Sequence, residues 1–167
     1  MVDFISHALW SYAIFHAQEQ VAFFVLASLL PDLGFGIPAF VLFIAGGAGF
    51  KKMQDAWKAH ESRSRLPAFE TVKTAYHLSH SWLVMALIAL ALSIFLPEFV
   101  LPFVGGVFLH LALDLFVHKD SPAGQLPLYP LSKHRVKGFI HWHEKKFLLI
   151  NYAALAVVYA LLLLGLI

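Results

Sequence analysis

His110, Asp114 and His118 stand four residues apart in the apolar run GGVFLHLALDLFVHKD. On a helix, four residues return a side chain to nearly the same face, drifting by ~40° per step. Two imidazoles and a carboxylate then form one stripe, a donor set suited to a hard or borderline metal ion. Polar groups in so apolar a segment are costly to bury without partners. The spacing alone leaves a second reading open, a polar helix end at an interface with His118 capping the C-terminus.

The elements that must carry this stripe are membrane elements. The chain has 167 residues, 60% hydrophobic and 13% charged, against about 25% charged in a soluble domain. That length fits one domain, here a single membrane domain over 1–167. There are no cysteines and ten histidines, so a metal site must be built from His, Asp or Glu, and disulfides are excluded. The twelve Lys and Arg residues fall in two segments, 51–75 and 119–146. The positive-inside rule places both basic loops on the cytoplasmic side of the membrane. They are short and mixed with acids, so anionic lipid headgroups are the expected partner and nucleic acid is not. No basic residue precedes the first apolar run, so no cleavable signal peptide is expected.

Three spans follow from length and hydropathy, at about 77–96, 99–118 and 147–167, each near the ~20 residues that cross a bilayer core. Leu96-Pro97-Glu98 joins the first two, and Lys145 and Lys146 anchor the third. In segment 4–31, one long helix would bury His16, Gln18, Glu19 and Gln20 mid-membrane. A hairpin of short helices, roughly 5–16 and 20–31, avoids this and brings His7 and Asp32 to one side. Each arm of ~17 Å is too short to cross alone. Segment 35–50 is left open between spanning, re-entering and lying at the interface. The fold class expected is an all-α, polytopic integral membrane helical bundle with an N-terminal short-helix hairpin.

In this arrangement His77 and His80 open one span at the depth where His110, Asp114 and His118 close the next. Asp32, in LLPDLG, joins them through the hairpin. The metal set read from the sequence is Asp32, His80, His110, Asp114 and His118, with His7, His16 and His77 as outlying candidates. Each has a plainer alternative: Asp32 after Pro31 as a turn residue or cap, His16 with Glu19 as a hydrogen-bonded turn, His77 as an interfacial histidine. Ser81 is expected to cap a helix rather than act as a nucleophile. Trp10, Trp82 and Trp142 are expected in the interfacial belt and in packing.

The succession SHALWSYAIFH, LLPDL, YHLSHS, HLALDLFVH and PLYPLSKHRVKGFIHW resembles a group of small bacterial inner-membrane proteins known as membrane-bound metal-dependent hydrolases. The resemblance covers most of residues 4–142. Its motifs are PD, THS or SHS, and HxxxD followed by PLxPLS, matched here by Asp32, His80 with Ser81, and His110 with Asp114. His118 matches the subgroup with HxxxDxxxH. Many relatives read PDxDH where this chain has Gly34, and HRGxTHS where it has Ala75. HxxxD is also similar, over a few residues, to the all-helical zinc phospholipase C and single-strand nuclease group.

The resemblance implies a metal-dependent hydrolase acting near the cytoplasmic headgroup layer on a lipid, phosphoester or other small-molecule substrate. The cofactor expected is a divalent ion, zinc first, with manganese and magnesium as alternatives. Such an ion lowers the pKa of bound water to ~7 and stabilises charge on a phosphoryl or carbonyl oxygen. Asp32 and His118 are the candidates for moving a proton. Two other classes stay open: a non-catalytic membrane protein with a structural or transport-related metal site, and a haem-binding membrane protein with axial histidines. The sequence leaves the oligomeric state and the number of metal ions open.

Overall fold

The computed structural model describes residues 3–45, 67–119, 124–141 and 144–167. Six α-helices follow in order among the described residues: α1 (Phe4–Phe15), α2 (Val21–Ala45), α3 (Pro67–Ser79), α4 (Trp82–Phe95), α5 (Val100–Val117) and α6 (Lys145–Leu163). A 3₁₀ turn, Pro97–Phe99, links α4 to α5. Three described helical segments are long and apolar enough to cross a membrane, Val21–Val41, Pro97–Val117 and Lys145–Leu163, and a fourth if the bent pair α3–α4 is one span. The fold is an all-helical bundle, as expected.

The N-terminal hairpin forms, with one correction. α1 ends at Phe15 and the polar residues 16–20 turn the chain. The second arm does not stop near residue 31; α2 runs 25 residues to Ala45, through Pro31 and Pro38. Proline removes a helical donor, but membrane helices tolerate this where neighbours take up freed backbone groups. The Ser28 carbonyl, in the turn before Pro31, accepts a 2.7 Å hydrogen bond from His110 Nδ1. Residues 35–45 therefore continue α2, while the remainder of 35–50, most of the basic segment 51–75, and Trp142 lie outside the described residues.

The span expected at 77–96 is also corrected. It breaks between Ser79 and Trp82, and the two halves bend by 59°. Ser81 leaves helical geometry (φ −87°, ψ 122°) and caps α4, its Oγ accepting from Val84 N–H at 3.3 Å. The same hydroxyl donates to the Tyr129 carbonyl at 2.7 Å, with the Pro127 carbonyl 3.1 Å away. A uniform apolar run hides such a break, because the cap and its loop partners lie 46 and 48 residues apart in sequence.

The core is the seam of α2, α4 and α5, with Ala27, Met85, Phe103, Val107 and Leu111 buried together. Close approach of α2 and α5 depends on Gly106. A Cβ there would stand 2.3 Å from the Phe24 carbonyl oxygen and 2.8 Å from both Ala27 Cβ and the Ser28 nitrogen. Small residues at such crossings let membrane helices meet backbone to backbone.

The segment 124–141 folds back across the bundle end. Gln125 donates to the Leu111 carbonyl (2.8 Å) and accepts from the Trp82 indole (3.1 Å). Phe139 N–H donates to the Phe116 carbonyl (2.8 Å), and Lys119 N–H to the Ile140 carbonyl (3.1 Å). α6 packs on α1 through polar contacts: Trp10 Nε1 donates to Asn151 Oδ1 (2.9 Å), Asn151 Nδ2 to Ser6 Oγ (2.8 Å), and Tyr159 OH to the Leu9 carbonyl (3.0 Å). The two described tryptophans, Trp10 and Trp82, thus donate within the bundle rather than serving only as an interfacial belt.

Candidate metal centre

Four chain segments converge on one point. α1 contributes His7, α2 Asp32, the end of α3 His80, and α5 both His110 and Asp114. None of the five is more than 4% exposed. His80 Nε2 lies 3.4 Å from His110 Nε2, 3.6 Å from Asp32 Oδ1 and 3.7 Å from Asp114 Oδ2. His110 Nε2 lies 3.7 Å from Asp114 Oδ2 and 3.9 Å from Asp32 Oδ1. His7 Nε2 lies 3.3 Å from Asp114 Oδ1, and its ring stacks on His110 with centroids 3.7 Å apart. Two ligand groups result, His7–His110–Asp114 and Asp32–His80–His110, each with donor atoms within 4.8 Å of one another.

The hydrogen-bond network orients these rings. His110 Nδ1 donates to the Ser28 carbonyl (2.7 Å). His80 Nδ1 donates to the Tyr76 carbonyl (3.1 Å), beside Ser79 Oγ (3.0 Å). With Nδ1 carrying the proton in both, each ring turns an Nε2 lone pair toward the other and toward two carboxylates. Asp32 has no hydrogen-bond partner for either oxygen among the described residues. The separations of 3.6–3.9 Å are too long for hydrogen bonds. The Asp32 carboxylate thus faces the His80 and His110 Nε2 atoms without a hydrogen bond to either. In an apolar interior this costs several kcal/mol per unpaired charge, and a cation at the point of convergence removes the cost. The donor set, imidazole nitrogen with carboxylate oxygen, suits a divalent ion. The group can therefore hold a metal ion. A porphyrin fits poorly, since both carboxylates crowd the space between the His80 and His110 rings.

Of the residues read from the sequence, the structure brings together Asp32, His80, His110 and Asp114, and adds His7 from the outlying set. His118 stands apart, for a definite reason. α5 ends at Val117, and His118 departs from helical geometry (φ −109°, ψ 54°). The four-residue stripe ends with the helix. His118 Nδ1 donates to the Asp114 carbonyl (2.9 Å), and its Nε2 lies 3.4 Å from the Tyr76 hydroxyl. His77 is buried, but its ring packs near Tyr129 with centroids 5.5 Å apart. His16 is exposed at the far end of α1, its Nδ1 bonded to the Ala13 carbonyl (2.9 Å). Nine residues separate it from His7, about 13 Å along the helix.

Three supporting residues were missed in the sequence. Ser28 orients His110 through its backbone, which no side-chain motif reveals. Tyr76 stacks on His80 with centroids 4.1 Å apart and reaches His118. Gln125 ties the returning segment to α5 and α4. Only the YHLSH spacing, with Tyr76 four residues before His80, hinted at any of them. Comparison with family models, curated proteins and solved structures finds no match to this chain.

Proposed function

We propose that the protein is a membrane-embedded, metal-dependent hydrolase acting at the cytoplasmic headgroup layer on a lipid or phosphoester. The observation that carries this reading is the buried convergence of Asp32, His80, His110 and Asp114, with His7 against Asp114, in which Asp32 finds no hydrogen-bond partner among the described residues. The motif resemblance supports it, because Asp32, His80, His110 and Asp114 are the matched positions. A bound divalent cation would supply Lewis acidity at a phosphoryl or carbonyl oxygen and a water acidified to ~7. Zinc fits a His-rich set best; manganese and magnesium are the alternatives.

The chain's own residues divide the remaining work. Asp32, His80, His110 and Asp114 hold the ion. His110 offers a single nitrogen, since Nδ1 is committed to Ser28; the two ligand groups share that imidazole and favour one ion through it. His118 lies outside the ligand group with Nε2 toward the Tyr76 hydroxyl, where it can accept and return a proton. The basic segment 119–146 faces the cytoplasm in this reading, by the positive-inside rule.

A second reading, a structural or transport-related metal site, draws support from burial, since every ligand candidate is at most 4% exposed. Elemental analysis of purified protein, followed by turnover assays on lipid and phosphoester panels with and without chelator, separates the two. Chelator-sensitive turnover is expected. Stoichiometric metal with no turnover across the panels selects the non-catalytic reading, and absence of metal removes both.

A further inference from the structure

A cleft of about 230 Å³ opens beside the metal centre, lined by Glu70, Lys73, Thr74, His77, Leu126, Tyr129, Lys133 and Arg135. It lies one turn from the centre along α3, because His77 precedes His80 by three residues, a rise of about 4.5 Å. Three permanent cations line it against one acid. That acid, Glu70, already has a lysine beside it, with Lys73 Nζ 3.6 Å away. The lining also offers a hydroxyl, a phenol and a buried imidazole, which are donors suited to phosphoryl oxygens.

The backbone that carries two of these cations is held in place by the fold. Lys133 and Arg135 sit on the returning segment, which is pinned on both sides. Tyr129 N–H donates to the Leu126 carbonyl, Ser132 N–H to the Leu128 carbonyl and Val136 N–H to the Gln125 carbonyl, each at 3.0 Å. Gln125 is itself fixed to α5 and α4. Tyr129, whose ring borders His77, receives the Ser81 hydroxyl on its carbonyl at 2.7 Å. The wall of the cleft is therefore braced against the residue that follows His80.

We infer that this cleft binds a phosphoryl anion, and that it holds the phosphate group of the substrate next to the metal centre. The substrate role rests on the hydrolase reading above; anion binding by the cleft does not. A preformed basic cleft concentrates anions and fixes their orientation before reaction. The same chemistry serves a lipid phosphate headgroup or a soluble phosphate ester. The chain could draw its ligand from either source.

The test is calorimetric titration of the full-length protein in a neutral detergent at fixed salt. The probes are inorganic phosphate, a short-chain phosphatidic acid and a short-chain phosphatidylcholine. Wild type and His110→Ala are expected to bind the first two saturably. The exposed double variant Lys133→Gln/Arg135→Gln should bind them at least about tenfold more weakly, with metal content unchanged. Phosphatidic acid bound at least about tenfold tighter than inorganic phosphate identifies a membrane headgroup; near-equal affinities identify a soluble ester. The proposal is overturned if wild type binds neither anion. It is overturned equally if the double variant binds as wild type does, or if binding is lost in His110→Ala, which would put the anion on the metal centre. Metal-free wild type whose phosphate binding still depends on Lys133 and Arg135 would sink the hydrolase reading and leave the cleft standing.

Discussion

Helix α1 buries polar side chains on two sides, and the two sides keep different company. Toward α6, Ser6 and Trp10 meet Asn151, and each donor finds an acceptor at 2.8–2.9 Å. Toward α2 and α5, His7 meets Asp114 at 3.3 Å in a group where the His80 and His110 Nε2 atoms face two carboxylates at 3.6–3.9 Å. The first arrangement is complete within the protein and glues two helices, as interhelical hydrogen bonds do in membranes. The second leaves the Asp32 carboxylate without a hydrogen-bond partner among the described residues, and its donor atoms are placed so that they could hold a metal ion. A buried polar cluster is a site when its donors and acceptors do not balance.

That contrast can be broken most sharply at His110. His110→Ala should lower metal affinity at least about 100-fold, beyond what loss of a supporting partner costs. Elemental analysis after gel filtration would then find only traces, while Asn151→Ala keeps the full complement. Equal metal in the two variants would erase the distinction. The next effect is thermal. Chelation should destabilise wild type by about 2.7 kcal/mol when the metal is present at about 100 times its dissociation constant, and should leave Asp32→Asn unmoved. In the metal-free state Asp32→Asn should be the more stable protein, because a buried charge without a donor is gone. Melting curves with and without chelator read both signs.

On the satisfied side, Asn151→Ala strands the Trp10 indole and should cost about 1–2 kcal/mol, read as a lower melting temperature at unchanged metal content. The smallest effect belongs to Asp3, which caps α1. Burial pushes its carboxyl up, but hydrogen bonds from the Tyr152 hydroxyl (2.7 Å) and from the Ser6 hydroxyl and N–H (3.0 Å each) outweigh this and hold it below the usual value. A lowered folded pKa stabilises above the unfolded value near 3.9 and loses that contribution as pH falls through the folded pKa. Asp3→Asn should therefore lose under about 1 kcal/mol at neutral pH, because the cap survives and the group is partly exposed. Its melting temperature should fall less steeply than wild type's below pH 4, and parallel curves would remove Asp3 from the acid limb.

Much of this was readable in the residues. The composition and the apolar runs dictated a helical membrane bundle, and the polar turn at residues 16–20 dictated a hairpin. Asp32, His80, His110 and Asp114 could be proposed together because periodicity and span direction place them at one depth. What escaped were features decided by contacts remote in sequence. α2 continues through Pro31 and Pro38 to Ala45, past the point where proline chemistry argues for a stop. The apolar run 77–96 breaks because Ser81 binds a loop almost fifty residues away. His118 obeys the spacing but not the helix, which ends one residue too soon. His7 was placed on the correct side by the hairpin, yet its central position required the packing of α1 against α5.

One further consequence concerns Gly106, which touches no ligand. It lies four residues before His110, and it faces Ser28, four residues before Asp32. The missing methyl group at Gly106 acts as a caliper: it sets the distance between α2 and α5, and with it the aperture between Asp32 and His110. Zinc and magnesium bond to oxygen at about 2.0–2.2 Å and calcium at about 2.3–2.6 Å, so a few tenths of an ångström separate one choice of ion from another. Gly106→Ala must push the helices apart, and should shift the retained metal toward the larger ion; an unchanged metal profile would show that the aperture is set elsewhere. In the metal-dependent reading, the room left for an ion is thus set by a residue that contacts none of its ligands.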